Sequence, residues 1–324
     1  MAGIAKGTYK HKGIPIPAGL GYRFANPWTT HYFVDGDNGM DSNSGLAPDA
    51  ALKTIQGAFD KATYQDVIYV RPKTYTLGTG FARYTEDVVV SLGGGGGNGA
   101  TATNANISLI GVTQRGAFPT DFLGVRWKFA TATPLTVDAP CLHVENIGFF
   151  AEAATYAINL RCNGATRTQE GTTGFSIYGC AIKGDGKLYA DGGNELSIIK
   201  CRFQAKYDGT TGGIQLVGSS NQVPRPIIQG CDFIGGNAYN MATAPITTAA
   251  PVYDLMIRDC YFSVVTDSGV YIDIAGTTNT GLIANCFFAT ADLTTTGIPG
   301  TVAGVSGVFG SGLYDDDGIE DMSS

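Results

Sequence analysis

A short pattern centred on cysteine recurs through the second half of the chain. Each copy has an aliphatic residue three positions before the cysteine and an apolar residue, usually phenylalanine, two positions after it. The five copies are centred on Cys180, Cys201, Cys231, Cys260 and Cys286. Ile147 stands at the centre of a sixth copy and Val112 at the centre of a degenerate seventh. These centres are 21 to 35 residues apart, and an irregular period of this length, built from short strand-like units, is typical of a β-solenoid.

The spacing inside each copy predicts a corner in the backbone. Side chains alternate between the two faces of a straight strand, so residues three positions apart would face opposite sides. Both residues are apolar in nearly every copy, and the position before the centre holds Asn146, Gly179, Gly230 or Asn285, residue types that tolerate left-handed backbone angles. Each copy therefore predicts a strand, a corner and a second strand. Stacking of the coils would align the cysteines in one interior column, and the residues two positions later in another: Phe149, Ile182, Phe203, Phe233, Phe262 and Phe288.

A third strand is predicted for each coil. The segments 157–162, 213–217 and 269–274 alternate apolar residues with polar or small ones, as half-buried strands do. Loops rich in glycine and asparagine separate these segments, and long loops such as 235–251 account for the uneven period.

The seven cysteines are interpreted as structural. Cysteine behaves as a small buried hydrophobic residue, and the chain has no Cys-X-X-Cys pair of the kind that zinc and redox sites use. Reduced thiols are also typical of a protein assembled in a cytosol. We therefore predict no cofactor and no structural metal, with disulfides or metal binding as the alternatives.

Composition excludes several classes of protein. Charged residues make up 15 % of the chain and hydrophobic residues 44 %, the opposite of the balance found in disordered proteins. The 46 glycines show no every-third spacing, which excludes collagen, and no apolar run approaches the ~18–20 residues that span a bilayer. The first 26 residues lack the apolar segment of a secretory signal. We expect a protein made in a cytoplasm, without membrane contact.

Charge is concentrated at the two ends of the chain. Residues 1–30 contain four lysines and arginines and no acid, whereas five of the acids behind the net charge of −7 lie between Asp315 and Asp321. We predict an N-terminal arm at 1–30 and a Gly/Thr-rich C-terminal segment with an acidic tail at 291–324, both able to contact other proteins. The alternative is that both ends are solvated. Four positive charges are too few to predict nucleic-acid binding.

An amphipathic helix is predicted at 49–62, ahead of the first full coil. Asp49 is placed to cap its N-terminus. Four apolar residues share one face at helical spacing: Leu52, Ile55, Phe59 and Ala62. Such a helix would cover the open end of a solenoid, where the terminal coil exposes its core and its backbone edges.

Three stretches near this helix resemble a known family. Residues 32–45, 53–56 and 66–71 look like the opening of the pectate-lyase-like right-handed parallel β-helix proteins. That superfamily includes phage tailspikes and other virion proteins, as well as bacterial polysaccharide lyases and hydrolases. The resemblance covers about residues 31–290 and implies an all-β fold, a right-handed single-stranded parallel β-helix with a short N-terminal capping α-helix. Because one scaffold carries many activities, the resemblance is specific for fold and poor for function.

No catalytic set is evident. The Asn-Thr-Asp and Gly-His-Gly motifs of polygalacturonase-like members and the Trp-Ile-Asp-His motif of pectate lyases are absent from the sequence. A glycosidase needs two carboxylates close together. Four acids are predicted to face outward, none with a second carboxylate beside it: Asp232, Asp259, Asp267 and Asp273. Arg202 and Asp232 are expected one coil apart, as a surface ion pair. We expect no enzyme, and keep polysaccharide lyase or glycoside hydrolase as the alternative.

Calcium binding has one set of candidate ligands, Asp35, Asp37 and Asp41. Their oxygens are closely spaced in sequence, but Met40 and Leu46 stand where an EF-hand needs glycine and glutamate. A turn-rich approach to the helix is the preferred interpretation.

An exposed apolar strip is predicted from Tyr261, Tyr271 and Phe287. A patch of this kind on a long coil face is more typical of a subunit interface than of a platform for sugars.

The functional expectation follows from the resemblance and the missing motifs. We expect a bacteriophage virion structural protein, a β-helix decoration or spike protein on the capsid surface, docked through its terminal arms onto other capsid or tail proteins. The resemblance further implies a homotrimer. The alternative is a tailspike-like protein that binds, and in an enzymatic form depolymerises, a host surface polysaccharide.

Overall fold

The computed structural model describes most of the chain between Thr29 and Phe288. The described residues are 29–76, 80–91, 106–112, 124–152, 155–161, 172–192, 194–205, 212–217, 223–235, 241, 244–249, 252–263, 270–274 and 280–288. Beyond them, six short strands are described at 9–11, 14–16, 302–303, 308–311, 313–315 and 318–320. Most of the two predicted arms, and Asp267, therefore lie outside the described residues.

Three sheets of nearly all-parallel strands make up the body of the molecule. Sheet A consists of His31–Val34, Val67–Val70, Ser108–Gly111, His143–Glu145, Ser176–Tyr178, Ser197–Ile199, Ile227–Gln229, Leu255–Arg258, Gly281–Ala284 and Val308–Ser311. Sheet B consists of Tyr84–Thr85, Val125–Lys128, Ile147–Ala151, Ala181–Gly184, Arg202–Gln204, Asp232–Ile234, Tyr261–Ser263, Phe287–Phe288, Leu313–Asp315 and the antiparallel Gly318–Glu320. Sheet C consists of Val88–Ser91, Leu135–Asp138, Tyr156–Arg161, Lys187–Asp191, Gly213–Val217, Ile246–Thr248, Ile272–Ile274 and Val302–Ala303.

Three short strand pairs lie outside these sheets. Tyr9–His11 pairs with Ile14–Ile16 and Tyr75–Thr76 with Gly80–Phe81, both antiparallel. Val223–Pro224 pairs in parallel with Val252–Tyr253.

The chain visits the three sheets in strict rotation. After Val67–Val70 in sheet A it passes to sheet B, then to sheet C, and then back to sheet A one strand further along. Each strand pairs with its counterpart from the next coil, as Ser176–Tyr178 does with Ser197–Ile199. This arrangement of stacked parallel strands is consistent with a right-handed parallel β-helix and confirms the predicted all-β architecture.

A left-handed residue marks the corner between sheets A and B in successive coils. These residues have φ values of 52° to 61°: Asn146, Gly179, Lys200, Gly230, Asp259 and Asn285. The first five of these corners are tied to the next coil by a backbone hydrogen bond, as Lys200 N donates to Gln229 O at 2.8 Å. The predicted corner, one residue before the centre, is confirmed in six of the seven copies, whereas Gly111, before the degenerate centre Val112, has no positive φ. Lysine and aspartate at two of these corners carry a steric cost that glycine avoids.

Aromatic rings fill the interior behind sheet B. Phe203 lies 5.0 Å from Phe233 between ring centroids, Phe233 lies 4.7 Å from Phe262, and Phe262 lies 4.8 Å from Phe288, all nearly parallel. Each of these rings is at most 1 % exposed. Aliphatic side chains from sheets A and C complete the core, so stability depends on contacts between successive coils.

The N-terminal helix is shorter than predicted. Residues Pro48–Ala50 form a 3-10 helix and the α-helix runs from Ile55 to Lys61. Between them Leu52 is extended, because its N–H donates to Phe33 O and its carbonyl accepts from Asp35 N, both at 2.8 Å. The four residues of the predicted apolar face are nonetheless all buried: Leu52, Ile55, Phe59 and Ala62.

Asp49 was expected to cap this helix, and that expectation is wrong. Thr54 is the N-cap, its hydroxyl accepting from Gly57 N at 3.0 Å. The carboxylate of Glu86 accepts from Ile55 N and Gln56 N, each at 3.1 Å. Burial raises the pKa of Glu86 despite these two hydrogen bonds. Among the described helices, none is long and apolar enough to cross a membrane.

Candidate functional site

The cysteine column lies in the interior. The five thiols are at most 2 % exposed, and each donates to the carbonyl two residues earlier at 3.3 to 3.5 Å: Cys180, Cys201, Cys231, Cys260 and Cys286. Burial raises the pKa of Cys180 and Cys231, so both thiols stay protonated. All described cysteines are free. A protonated thiol that also satisfies a corner carbonyl is a packing element rather than a reactive site.

The three aspartates proposed as calcium ligands are not brought together around one point. Asp35 binds Arg71 and Asn38, Asp37 accepts from the backbone and hydroxyl of Thr74, and Asp41 accepts from the backbone of Lys53 and Thr54. Among the residues that the structure describes, no group of three His, Cys, Asp or Glu side chains could hold a metal ion. These carboxylates instead hold the turns before the helix.

One of the three residues predicted to form an exposed apolar strip is buried. Tyr271 is 3 % exposed and packs inside against Phe262 and Phe288, so its assignment to an interface is wrong. Tyr261, which is 40 % exposed, and Phe287 do face outward, with their rings stacked at 5.3 Å.

The predicted ion pair between Arg202 and Asp232 is present. The guanidinium lies 3.0 Å from the carboxylate. The pair occupies the same outward column as Tyr261 and Phe287, because Asp232 is in register with both Arg202 and Tyr261. Its carboxylate is therefore already neutralised by a cation.

A second outward apolar column follows sheet A in the same coils. Ile227, Met256 and Leu282 are in register on adjacent strands. The first two are half-buried, and Leu282 is 37 % exposed. The cysteine-centred repeat does not reveal this column, because it constrains only the inward positions of these strands.

Sheet C carries a polar groove on its outer face. Four outward residues of adjacent strands follow one another in register: Tyr189, Gln215, Thr247 and Asp273. The last three, together with Lys187, line a cavity of about 230 Å³. Successive strands are about 4.8 Å apart, so the row of four spans about 14 Å, the scale of a short oligomer.

Two tyrosine rings lie at one end of this groove. Tyr156 and Tyr189 have ring centroids 4.6 Å apart. Burial raises the pKa of Tyr189 and lowers that of the adjacent Lys187. Amide, hydroxyl, ammonium and carboxylate groups beside an aromatic surface can hydrogen-bond to a polyhydroxylated ligand while its apolar face covers a ring.

Carboxylates are sparse in the cavity within this groove. Asp273 is the one acid among its lining residues. Of the other acids predicted to face outward, Asp232 is paired with Arg202, Asp259 accepts from Asn285 and Gln229, and Asp267 lies outside the described residues. Glycoside cleavage by two carboxylates about 5–9.5 Å apart has no counterpart among these residues.

Comparison with solved structures supports the fold. The structure aligns with the pectin methylesterase of Aspergillus niger with a TM-score of 0.53 and 14 % sequence identity, over 91 % of this chain and 87 % of that one. A rhamnogalacturonan lyase (TM-score 0.44, 15 % identity, 88 % of this chain and 74 % of that one) and the alginate lyase of Paenibacillus sp. str. FPU-7 (0.42, 14 %, 81 % and 83 %) align less well.

Sequence comparison adds no further relative. No protein-family model matches the chain, and no curated protein matches it. At 14 % sequence identity, the similarity to the Aspergillus niger pectin methylesterase is a similarity of backbone fold alone. This chain therefore shares the parallel β-helix fold of that esterase.

Proposed function

We propose that this chain is a structural protein of a bacteriophage virion, a decoration or spike protein that displays a parallel β-helix on the capsid surface as a homotrimer. Its N-terminal segments resemble the pectate-lyase-like β-helix superfamily, which includes phage tailspikes and other virion proteins, and this resemblance supports the proposed role. Residues 1–30 and 291–324 dock it onto the particle, the basic arm on acidic surfaces and the acidic tail on basic ones.

The observation that carries the proposal is the pair of outward apolar surfaces in the C-terminal coils. Ile227, Met256 and Leu282 line sheet A, while Tyr261 and Phe287 line the neighbouring sheet B. Apolar side chains aligned along a rigid rod gain free energy when a second rod covers them, and identical copies present the same surface to each other.

Size-exclusion chromatography with light scattering tests the assembly. We expect a trimer for the wild-type chain and a monomer for Leu282→Glu, because the introduced carboxylate would lose its water in the interface. Val89→Glu is the matched control, since Val89 is 52 % exposed on sheet C. A monomeric wild type, or a trimer that Leu282→Glu leaves intact, would contradict the proposed interface.

Virion docking is tested by deleting residues 1–30. We expect the shortened protein to keep its coil, monitored by circular dichroism, and to be absent from purified particles in a complementation assay. Retained incorporation would refute docking through the N-terminal arm.

A second candidate function, binding of a host surface polysaccharide, is favoured by the groove on sheet C. Titration calorimetry with capsule or lipopolysaccharide fragments should show saturable binding that Tyr189→Ala and Asp273→Asn abolish. Tyr64→Ala, at a tyrosine 56 % exposed, is the control. Equal binding by all variants would rule out the groove, and release of oligosaccharide by the wild type would identify an enzyme.

A further inference from the structure

Three polar side chains on the outer face of sheet A form a hydrogen-bonded chain. His143 and Glu145 alternate on one strand, so both face outward, and Ser176 is directly opposite His143 on the next strand. His143 Nδ1 lies 2.8 Å from Ser176 Oγ, and His143 Nε2 lies 3.4 Å from Glu145 Oε2. Ser176 and His143 are 33 positions apart in sequence, yet with Glu145 they form a continuous serine–histidine–carboxylate hydrogen-bond chain.

The partners determine which ring nitrogen carries the proton. A carboxylate only accepts hydrogen bonds, so Nε2 of His143 is the protonated nitrogen and donates to Glu145. Nδ1 is then the acceptor and takes the hydroxyl hydrogen of Ser176. These are the roles of the three groups in a catalytic triad, with the two ring nitrogens exchanged.

Glu145 is held in place to orient the ring. Its residue is 5 % exposed, and its other oxygen accepts from Asn146 Nδ2 at 3.2 Å. A nearly buried carboxylate whose own orientation is fixed holds the imidazole ring in one orientation through Nε2.

Ser176 remains within reach of a small reagent. It is half-buried, and Tyr178, two residues along the same strand, is 37 % exposed. Ser197 follows Ser176 in the same outward column, in register on the next strand, and is therefore a matched serine one strand further from the imidazole.

We propose that Ser176 is a nucleophile that accepts an acyl group from small activated esters, with His143 as general base and Glu145 as a positioning residue. Ser176 Oγ attacks the ester carbonyl carbon while its proton passes to His143 Nδ1. The tetrahedral intermediate then expels the alcohol, which takes that proton, and leaves an acylated Ser176. Water, deprotonated by His143 in the same way, releases the carboxylic acid and regenerates the serine.

The expected reaction is slow. The backbone N–H groups of His143 and Ser176 donate to Ile107 O and Leu142 O, each at 2.9 Å. Because these amides belong to the sheet, water rather than the backbone solvates the oxyanion, and only esters with good leaving groups should react.

Acetylation by p-nitrophenyl acetate, mapped by peptide mass spectrometry, tests the proposal. We expect acetyl-Ser176 in the wild type, none in Ser176→Ala, an unchanged rate in Ser197→Ala, and a rate about 100-fold lower in His143→Gln, the usual worth of a general base. No acetylation at Ser176, equal acetylation of Ser197, or a rate that His143→Gln leaves unchanged would overturn the proposal.

Conservative replacement separates a positioning role of Glu145 from a structural one. Glu145→Asp keeps a carboxylate that can accept from His143 Nε2 and should retain part of the acetylation rate. Glu145→Leu cannot accept this hydrogen bond and should lower the rate while the circular dichroism spectrum stays that of the wild type. These variants also serve if His143→Gln does not fold, and equal acetylation rates in the wild type and Glu145→Leu would overturn the proposal.

Discussion

Phe233 is the best place to test how the stacked coils are held together. Its ring is fully buried and lies between Phe203 at 5.0 Å and Phe262 at 4.7 Å. Replacing a buried phenylalanine with alanine costs about 3 to 5 kcal/mol, through lost burial and the cavity left behind. Two stacked neighbours lose their partner as well, so we expect about 4 kcal/mol for Phe233→Ala.

The reactivity of the native buried thiols can report this loss of stability, so no label has to be engineered into the chain. In a solenoid each coil contacts mainly its neighbours, so the destabilisation should favour local opening around the substituted coil. Cys201, Cys231 and Cys260 lie in the same and adjacent coils and are at most 2 % exposed. A change of about 4 kcal/mol raises the population of the open state, and with it the alkylation rate, by about a thousandfold.

Alkylation under native conditions, resolved thiol by thiol with peptide mass spectrometry, is the assay. Tyr178→Ala is the matched control, since Tyr178 is an outward aromatic residue of a nearby coil, is 37 % exposed and lies outside the proposed interface. We expect less than a tenfold change for that variant. Phe233→Leu covers the case in which the alanine variant does not fold. Labelling of the three thiols that accelerates less than tenfold in Phe233→Ala would refute the view that the ring stack couples the coils.

Three further predictions concern the backbone and one carboxylate. Lys200→Gly should raise the free energy of unfolding by about 0.5 to 1 kcal/mol, because its φ of 52° is strained for a side chain. Gly213→Ala should cost more than about 2 kcal/mol, since its φ is +114° and a Cβ there would lie 2.2 Å from Pro245 O. Burial would raise the pKa of Asp87, but hydrogen bonds from residues 130–132 lower it below its ordinary value, so the carboxylate stabilises the fold above its unfolded pKa. That stabilisation is lost as pH falls through the folded pKa, and Asp87→Asn should match the wild type in acid and be less stable near pH 7.

Denaturant unfolding measures all three. Gly230→Ala is the control for the glycine variant, because its φ is +61° but the nearest atom to an added Cβ is 3.6 Å away; it should cost only about 1 kcal/mol. A destabilised Lys200→Gly would contradict the strain at that corner. Equal losses of unfolding free energy in Gly213→Ala and Gly230→Ala would mean that the close contact with Pro245 O is relieved at little cost. A gap between Asp87→Asn and the wild type that does not close in acid would reject the role of the carboxylate.

The interior of the coils was largely predictable from the repeat. Apolar residues at fixed offsets from each centre predicted two inward positions with a corner between them, and Asn146 and Asn285 indeed adopt left-handed angles. This works because the side-chain direction of a strand alternates with every residue. Lys200 adopts the same angle without any signal in its residue type, since the neighbouring coils impose the corner on it.

The approach to the first coil was predicted less well. The apolar spacing of Leu52, Ile55 and Phe59 suggested one long helix, yet backbone hydrogen bonds to Phe33 and Asp35 hold Leu52 in an extended conformation. Helical periodicity could not reveal this competition, because the partners belong to a strand nearly twenty residues earlier in the chain.

By itself, the sequence determined which side chains of each strand face inward, where the chain turns, and that the cysteines pack as small apolar residues. Only the tertiary structure decided which outward side chains become neighbours. The groove from Tyr189 to Asp273 and the contact of His143 with Ser176 join residues from different coils. Loops of unequal length separate those coils, so register depends on how the coils stack, and sequence spacing cannot supply it.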